Sequence, residues 1–254
     1  MKFTANLSML FTEVELLDRF EAARQCGFDA VEIQFPYSER PETLCRALAE
    51  NGLKLVLFNV AADDLLQGGE GLAAVPEKCD RFEEALAQTV DYLKILKPEA
   101  VNVLPGRCLD AARTEEYQNT FKRNLRLAAE TFAPLGVKTV FEAINTIDMP
   151  GFIIHSSGQM LNILEELNCP GLYMQFDIYH MHKMGEPVAD FIAQHADSIG
   201  HIQFADDPGR GQPGTGTIDF QTIFSAIEKS GYQGWVGAEY KPTGSTVQSL
   251  QWFS

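Results

Sequence analysis

The stretch "YMQFDIYHMH" at residues 173–182 begins as a buried strand and ends in polar side chains. Its first four residues have the apolar and aromatic character of a core strand. Asp177, His180 and His182 then follow within six positions. The pattern therefore predicts a strand whose carboxyl end reaches a polar site.

Seven further apolar runs of this kind recur along the chain. They lie at residues 3–9, 30–35, 53–60, 100–106, 138–144, 199–205 and 234–240. With residues 172–178, the chain has eight such runs. Most are continuous apolar runs, which are typical of parallel strands covered by helices on their outer face. Amphipathic helical patterns lie between them, so the chain alternates strand with helix.

Eight strands alternating with helices in 254 residues predict one (β/α)8 TIM-barrel domain spanning residues 1–254. A doubly wound open sheet is the alternative, but its first turn is usually rich in glycine. The segment "LSMLFTE" (7–13) contains no glycine. The glycine-rich segment "GRGQPGTG" (209–216) lacks the lysine of a phosphate-binding loop.

Several helix starts are marked by capping residues. Thr12 with Glu15, and Ser156 with Gln159, have the spacing of capping boxes. Asp219 is expected to be the N-cap of the last long helix. The final segment, "STVQSLQWFS" (245–254), is expected to pack back onto the barrel.

Composition narrows the functional classes. The net charge of −15 would repel a phosphate backbone, which excludes nucleic acid as the expected partner. The chain has no long apolar run that predicts a membrane span, and we interpret its N-terminus as a strand rather than a signal peptide. Five scattered cysteines indicate free thiols in a reducing compartment, so we expect a cytoplasmic protein. The sequence is compatible with a homo-oligomer.

Four strand ends carry oxygen-bearing side chains. These are Glu142, Asp177, Gln203 and Glu239, each among apolar neighbours. A TIM barrel has its active site at the carboxyl ends of its strands, so the four should meet at one mouth. Three carboxylates there would repel one another unless a cation neutralises them. Three carboxylates and an amide oxygen suit Mg²⁺ or Mn²⁺ better than zinc.

Other polar residues follow the same strand ends. His180 lies three positions past Asp177 and can turn back over the site. Arg210 lies on a long glycine-rich loop (205–219), which is typical of lids and binding loops, and could hold a substrate carboxylate with paired hydrogen bonds. Lys241 could also reach the mouth. A solvated loop arginine is the alternative for Arg210.

These motifs resemble the hydroxypyruvate isomerase family, within the xylose-isomerase-like group of sugar isomerases and epimerases. The resemblance runs nearly end to end and is strongest in "EAINTIDMPGF", "QFDIYHMH", "GHIQFADDPGRGQPGTG" and "GWVGAEYKP". It implies a xylose-isomerase-like TIM barrel with a divalent metal held by Glu142, Asp177, Gln203 and Glu239. It also implies that the two glutamates transfer the proton, that His180 and Arg210 contact the substrate, and that Asp148 lies near it.

The resemblance implies that the substrate is a small 2-oxo acid. Hydroxypyruvate would be converted to tartronate semialdehyde by proton transfer through an ene-diolate, with no redox cofactor. Isomerisation of a 2-oxo-tetronate, one carbon longer, is the close alternative. A zinc nuclease on the same barrel is disfavoured by the few histidines and the acidic charge, and a non-catalytic barrel by the four oxygen ligands.

Overall fold

A computed structural model of the chain describes residues 1–253, and Ser254, the last residue of the predicted domain, lies outside them. The strands are β1 Lys2–Asn6, β2 Ala30–Glu32, β3 Lys54–Asn59, β4 Ala100–Asn102, β5 Lys138–Glu142, β6 Leu172–Asp177, β7 Ile199–Phe204 and β8 Trp235–Ala238. All neighbouring strands are parallel, and β1 pairs with both β2 and β8, so the sheet closes into a barrel. The predicted barrel is therefore confirmed.

Helices follow the strands on the outside of the barrel. They are α1 Leu16–Gln25, α2 Pro41–Asn51, α3 Cys79–Leu96, α4 Thr114–Phe132, α5 Ser157–Leu167, α6 Ile178–Lys183, α7 Val188–His195, α8 Phe220–Lys229 and α9 Thr246–Ser249. Short 3-10 helices lie at Leu65–Gln67, Pro76–Lys78, Ala111–Arg113, Ala133–Leu135, Ala196–Ser198 and Leu250–Phe253. The main hydrophobic core fills the space between the strands and this outer layer.

Side chains alternate along each strand between the outer core and the interior of the barrel. Those that point inward fill the interior in layers. The bottom layer is an apolar cluster that includes Val140 and Trp235. Above it lie buried polar residues, among them Glu32 and His201. The predicted ligands occupy the top layer, where the strands end. Because side chains alternate along a strand, residues two apart point into the same interior at different depths.

Several predicted helix features are confirmed. Ser156 Oγ accepts from the Gln159 backbone N–H, and the Gln159 side chain accepts from Ser156 in return, which completes the capping box of α5. Asp219 caps α8 by accepting from the Thr222 backbone N–H. The C-terminal segment packs back as expected, with the Phe253 ring stacked on Phe28 at 4.3 Å between ring centroids.

The predicted capping box of Thr12 and Glu15 is wrong. α1 begins at Leu16, and Glu15 is its N-cap without a side-chain hydrogen bond. The residues before it are drawn onto the C-terminal segment, because the Phe11 backbone N–H donates to Thr246 Oγ1 at 2.7 Å. This tertiary contact delays the start of the helix.

Two further observations concern the chain as a whole. Within residues 1–253, no helix is both long and apolar enough to cross a bilayer. The five cysteines are free thiols, as the sequence predicted.

Gly237 on β8 should be irreplaceable, because a Cβ there would lie 2.5 Å from Glu32 Oε1 inside the barrel. We expect Gly237→Ala to lower the free energy of unfolding by about 1–3 kcal/mol through overpacking. Gly158→Ala in α5 is the matched control, since its Cβ meets nothing within 4 Å and the alanine should stabilise by about 0.4–1 kcal/mol. Urea unfolding measures the free energy of unfolding of both variants. Equal values would contradict the close approach of Gly237 to Glu32.

Candidate active site

The mouth of the barrel holds the four side chains predicted as metal ligands. Glu142 ends β5, Asp177 ends β6, Gln203 lies near the end of β7, and Glu239 directly follows β8. All are buried, with none more than 5% exposed. They come from four consecutive strands of the closed barrel, so they converge on one site rather than lying at separate loop edges.

Glu142 is anchored by two amides. Asn102 Nδ2 donates to Glu142 Oε2 at 2.8 Å, and Gln175 Nε2 donates to the same oxygen. Both donors lie on the neighbouring strands β4 and β6. The other oxygen, Oε1, is left for the cavity that Glu142 lines.

Asp177 has a similar division between its two oxygens. Oδ1 accepts from the backbone N–H groups of Tyr179 at 2.8 Å and His180 at 3.3 Å, so Asp177 caps α6. Oδ2 lies 3.7 Å from His180 Nε2 and 3.8 Å from Arg210 Nη2. One residue therefore ends the strand, begins the helix and offers one oxygen to the site.

Glu239 is the most heavily anchored of the carboxylates. Its Oε1 accepts from Asn6 Nδ2 at 3.0 Å, Gln34 Nε2 at 2.9 Å and Gln203 Nε2 at 3.4 Å. Its Oε2 pairs with Arg210 Nη2 at 2.5 Å. Again, one oxygen is held by amides and the other faces the mouth.

Gln203 is fixed by a buried hydrogen-bonded pair, Glu32 and His201, beneath it. Its Nε2 donates to Glu32 Oε1 at 2.9 Å, and Glu32 Oε2 lies 2.7 Å from His201 Nε2. A carboxylate can only accept, so the amide nitrogen of Gln203 must face Glu32. Its Oε1 points the other way and accepts from Gln175 Nε2 at 2.7 Å.

The two glutamates hold their protons unusually tightly. Burial raises the pKa of Glu142 well above its usual range, and the negative charges of Glu239 and Asp177 add to the shift. Burial also raises the pKa of Glu239; Arg210 opposes the shift and Asp177 adds to it. Carboxyl groups in this state favour a bound proton or cation.

His180 presents a hydrogen-bond donor to the site. Its Nδ1 lies 2.7 Å from Asn145 Nδ2, and Asn145 Oδ1 is occupied by the backbone N–H groups of Ile147 and Asp148. The amide nitrogen therefore donates to Nδ1, so the ring hydrogen is on Nε2, towards Asp177. Burial lowers the pKa of His180 to about 4, so the ring is neutral at pH 7.

Arg210 is a cation at the mouth. Its side chain is 24% exposed and pairs with Glu239 and Asp177. The guanidinium lies 5.4 Å from the centre of the Tyr179 ring. Burial alone would lower the pKa of Arg210, but Glu239 and the other carboxylates raise it, so the charge is retained.

Of the two remaining predicted substrate contacts, Asp148 lies at the cavity and Lys241 does not. Asp148 lines the cavity and accepts from Tyr179 Oη at 2.6 Å and Lys183 Nζ at 2.8 Å. Burial would raise the pKa of Asp148, but the hydrogen bonds from Lys183 and Tyr179 lower it to about 2. Lys241 is exposed and lies outside the cavity lining, with its backbone N–H bonded to the Arg210 carbonyl oxygen.

The cavity between these groups has a volume of about 90 Å³. Its lining combines polar and apolar side chains. The apolar lining residues are Phe35, Leu66, Leu104, Ile144 and Met149. This volume is far below the roughly 300–1,000 Å³ of pockets for drug-sized ligands, so the site suits a small molecule.

Comparison with known proteins identifies the family. The chain matches the family described as xylose isomerase-like TIM barrel over residues 20–254. It is 40% identical to a hydroxypyruvate isomerase of Escherichia coli (strain K12) over 252 residues, which cover 99% of this chain and 98% of that protein. The chain belongs to the xylose isomerase-like TIM-barrel family.

Other members of the xylose isomerase-like family are nearly as similar. A 2-oxo-tetronate isomerase of Pectobacterium atrosepticum is 38% identical, with 99% of this chain and 96% of that protein covered. The crystal structure of a protein described as AP endonuclease, family 2, from Brucella melitensis superposes with a TM-score of 0.95. It is 33% identical, and the match covers 99% of this chain and 97% of that chain.

The mouth of this xylose isomerase-like barrel has donors that fit a divalent cation. Ligand atoms of Glu142, Asp177 and His180 lie within 4.8 Å of one another. Because His180 carries its hydrogen on the inward nitrogen, the available donors are oxygens. An oxygen-rich buried site of this kind suits a hard cation.

A divalent cation added to chelator-treated protein near pH 7 should release protons, because Glu142 and Glu239 hold protons that the cation displaces. Titration calorimetry in buffers of different ionisation enthalpy measures this release. Glu142→Gln should release fewer protons, whereas Glu166→Gln, on the exposed face of α5, should match the wild type. Tight binding without proton release would mean that both glutamates are already ionised.

Proposed function

We propose that this protein is a metal-assisted isomerase that interconverts hydroxypyruvate and tartronate semialdehyde. The main support is the pair of buried glutamates, Glu142 and Glu239, which line one small cavity and have raised pKa values. A group that removes and returns a proton works best when its pKa lies near the operating pH. The relatives named hydroxypyruvate isomerase and 2-oxo-tetronate isomerase support the same class of reaction.

The reaction moves one proton from C3 to C2 and a second proton from the C3 hydroxyl oxygen to the C2 oxygen. Hydroxypyruvate has its carbonyl at C2 and its hydroxyl at C3, and the product has the two exchanged. One glutamate would remove a proton from C3 to give an ene-diolate, and the other, or the same one, would return a proton to C2. The Nε2–H of His180 can donate to an oxygen on which negative charge develops. The reaction is redox-neutral, so it requires no redox cofactor.

A divalent cation, Mg²⁺ or Mn²⁺, would supply the charge that acidifies the carbon-bound hydrogen and stabilises the oxygens. We propose that Glu142, Asp177, Gln203 and Glu239 hold it through oxygen atoms. The contact from Gln203 Nε2 to Glu32 leaves Gln203 Oε1 as the end that can serve as a ligand. The absence of thiolate or imidazole donors from this set favours Mg²⁺ or Mn²⁺ over zinc.

Arg210 would bind the substrate carboxylate. The protein has a net charge of −15, so an anionic substrate must be recognised by a local cation. Arg210 lines the cavity beside Glu239 and keeps its charge. Its planar guanidinium can donate two parallel hydrogen bonds to a carboxylate.

A 2-oxo-tetronate is the second candidate substrate. The relative of that name is 38% identical to this chain, almost as similar as the hydroxypyruvate isomerase. The longer acid carries one more carbon and one more hydroxyl group, and the cavity has a volume of about 90 Å³. This small volume favours the three-carbon acid.

The similarity to a protein described as an AP endonuclease raises a zinc nuclease as an alternative. A zinc cluster would draw on several histidines, but the candidate metal group within residues 1–253 contains one, His180. The net charge of −15 also disfavours a nucleic-acid substrate. We therefore favour the isomerase, and its free cysteines favour a cytoplasmic location.

Removing either glutamate should abolish most of the turnover. Glu142→Gln and Glu239→Gln keep the side-chain volume but remove the base, so each should lower kcat by at least about 100-fold. Steady-state rates with hydroxypyruvate and added metal measure the effect, with Glu166→Gln as the control. A variant with near-wild-type activity would show that its glutamate is a ligand only and that the two-base scheme fails.

Arg210→Ala should weaken binding of hydroxypyruvate by about 1.5–3 kcal/mol, the value of a charged hydrogen bond. Arg210→Lys should also be impaired, because it keeps the charge but loses the planar donor pair. Binding of dihydroxyacetone, which carries a hydroxymethyl group in place of the carboxylate, should weaken little in either variant. Equal losses on both substrates would mean that Arg210 does not read the carboxylate.

The same kinetics with Lys241→Ala tests the remaining predicted substrate contact. The exposed position of Lys241 outside the cavity lining favours rates close to those of the wild type. A selective loss on hydroxypyruvate would instead assign part of the carboxylate recognition to Lys241.

A further inference from the structure

The loop that carries Arg210 folds around one buried carboxylate. Asp206 lies two residues after the end of β7 and is fully buried. Its two oxygens accept four backbone N–H groups, which belong to Asp207, Gly214, Gly216 and Ile218, at distances of 2.7–3.1 Å. The donors span both arms of the loop, so this single side chain closes it.

Backbone contacts reinforce the closure. The Asp206 N–H donates to the Gly211 carbonyl oxygen at 2.8 Å, and the Thr217 N–H donates to the Asp207 carbonyl oxygen at 2.7 Å. A Cβ at Gly216 would lie 2.2 Å from that same Asp207 oxygen, so only glycine allows the approach. The glycine-rich composition favoured a lid, but these contacts tie the backbone down at both ends.

Arg210 itself has a backbone conformation that the loop must impose. Its φ of 56° lies in the left-handed region, which is unfavourable for a residue other than glycine. Such a conformation persists only where the surroundings determine it. The Asp206 contacts close the loop on one side, and the Lys241 N–H donates to the Arg210 carbonyl oxygen at 2.7 Å on the other.

We propose that Asp206 is a positioning residue that determines the selectivity of the site for 2-oxo acids. Its carboxylate folds residues 206–218 so that the Arg210 guanidinium is held at the cavity beside Glu239. Arg210 would then meet a substrate carboxylate without first ordering the loop, which lowers the entropic cost of binding. This role rests on the proposed function, since it assumes that Arg210 binds the substrate carboxylate.

Asp206→Asn removes half of the acceptor capacity, because the amide nitrogen faces backbone N–H groups and cannot accept from them. We expect kcat/KM for hydroxypyruvate to fall about 10-fold to 100-fold, mainly through KM. Dihydroxyacetone should change by less than about 3-fold, since it has no carboxylate for Arg210 to bind.

Limited trypsin digestion measures the opening of the loop independently of activity. The bond after Arg210 is a tryptic site that the closed loop withholds from the protease, and cleavage there gives residues 1–210 and 211–254. Asp206→Asn should be cut at this bond at least about 10-fold faster than the wild type, since local opening governs cleavage. Asp219→Asn, which weakens the cap of α8 outside the site, is the control and should not be cut faster there.

Gly216→Ala provides a second route to the same loop without altering Asp206. It should reproduce both effects, faster cleavage after Arg210 and a selective rise in KM for hydroxypyruvate. Wild-type cleavage rates and KM values in Asp206→Asn and Gly216→Ala would overturn the proposal, as would equal losses on both substrates. A wild-type protein that turns over no 2-oxo acid would overturn the proposed function and the selectivity role with it, while the digestion still decides whether Asp206 holds the loop.

Discussion

Three carboxylates buried at one barrel mouth impose the constraint on which the rest of the site depends. Glu142, Asp177 and Glu239 each give one oxygen to amide or backbone donors and present the other to the site. The anchored oxygen fixes the direction of the side chain, while the presented oxygen faces the site, where the cation Arg210 lies 2.5 Å from Glu239 Oε2 and 3.8 Å from Asp177 Oδ2. Neutral amides orient the carboxylates without neutralising them, so the site retains its affinity for a proton or a cation.

The layers below the mouth support this arrangement. The buried pair of Glu32 and His201 holds the amide of Gln203, and the lack of a side chain at Gly237 makes room for Glu32. On the other side, the Asp206 contacts hold the backbone that carries Arg210. The groups proposed to touch the substrate are therefore fixed by buried hydrogen bonds, which reduces the reorganisation that binding or proton transfer requires.

Much of this was predictable because parallel strands bring their carboxyl ends to one rim. The predicted runs 138–144 and 172–178, which contain Glu142 and Asp177 near their ends, located the mouth without any knowledge of tertiary contacts. The anchoring amides were missed, although Asn102 in "AVNVL" and Gln175 in "YMQF" are polar residues inside apolar strands and could have been recognised. The role of Asp206 could not be predicted, since it depends on loop contacts up to twelve residues away. The predicted cap at Thr12 was wrong because of a tertiary contact, between Phe11 and Thr246, that the local sequence does not reveal.

The central claim is that the buried glutamates move a proton between two carbons of a 2-oxo acid. The most direct measurement is the conversion of hydroxypyruvate carrying deuterium at C3, in ordinary water with Mg²⁺ or Mn²⁺, followed by NMR at early times. The account predicts hydrogen at C2 of the tartronate semialdehyde, because the deuteron held by a glutamate exchanges with solvent before return. Complete retention of deuterium at C2, unchanged in Glu142→Gln and Glu239→Gln, would indicate direct hydride transfer and contradict the account.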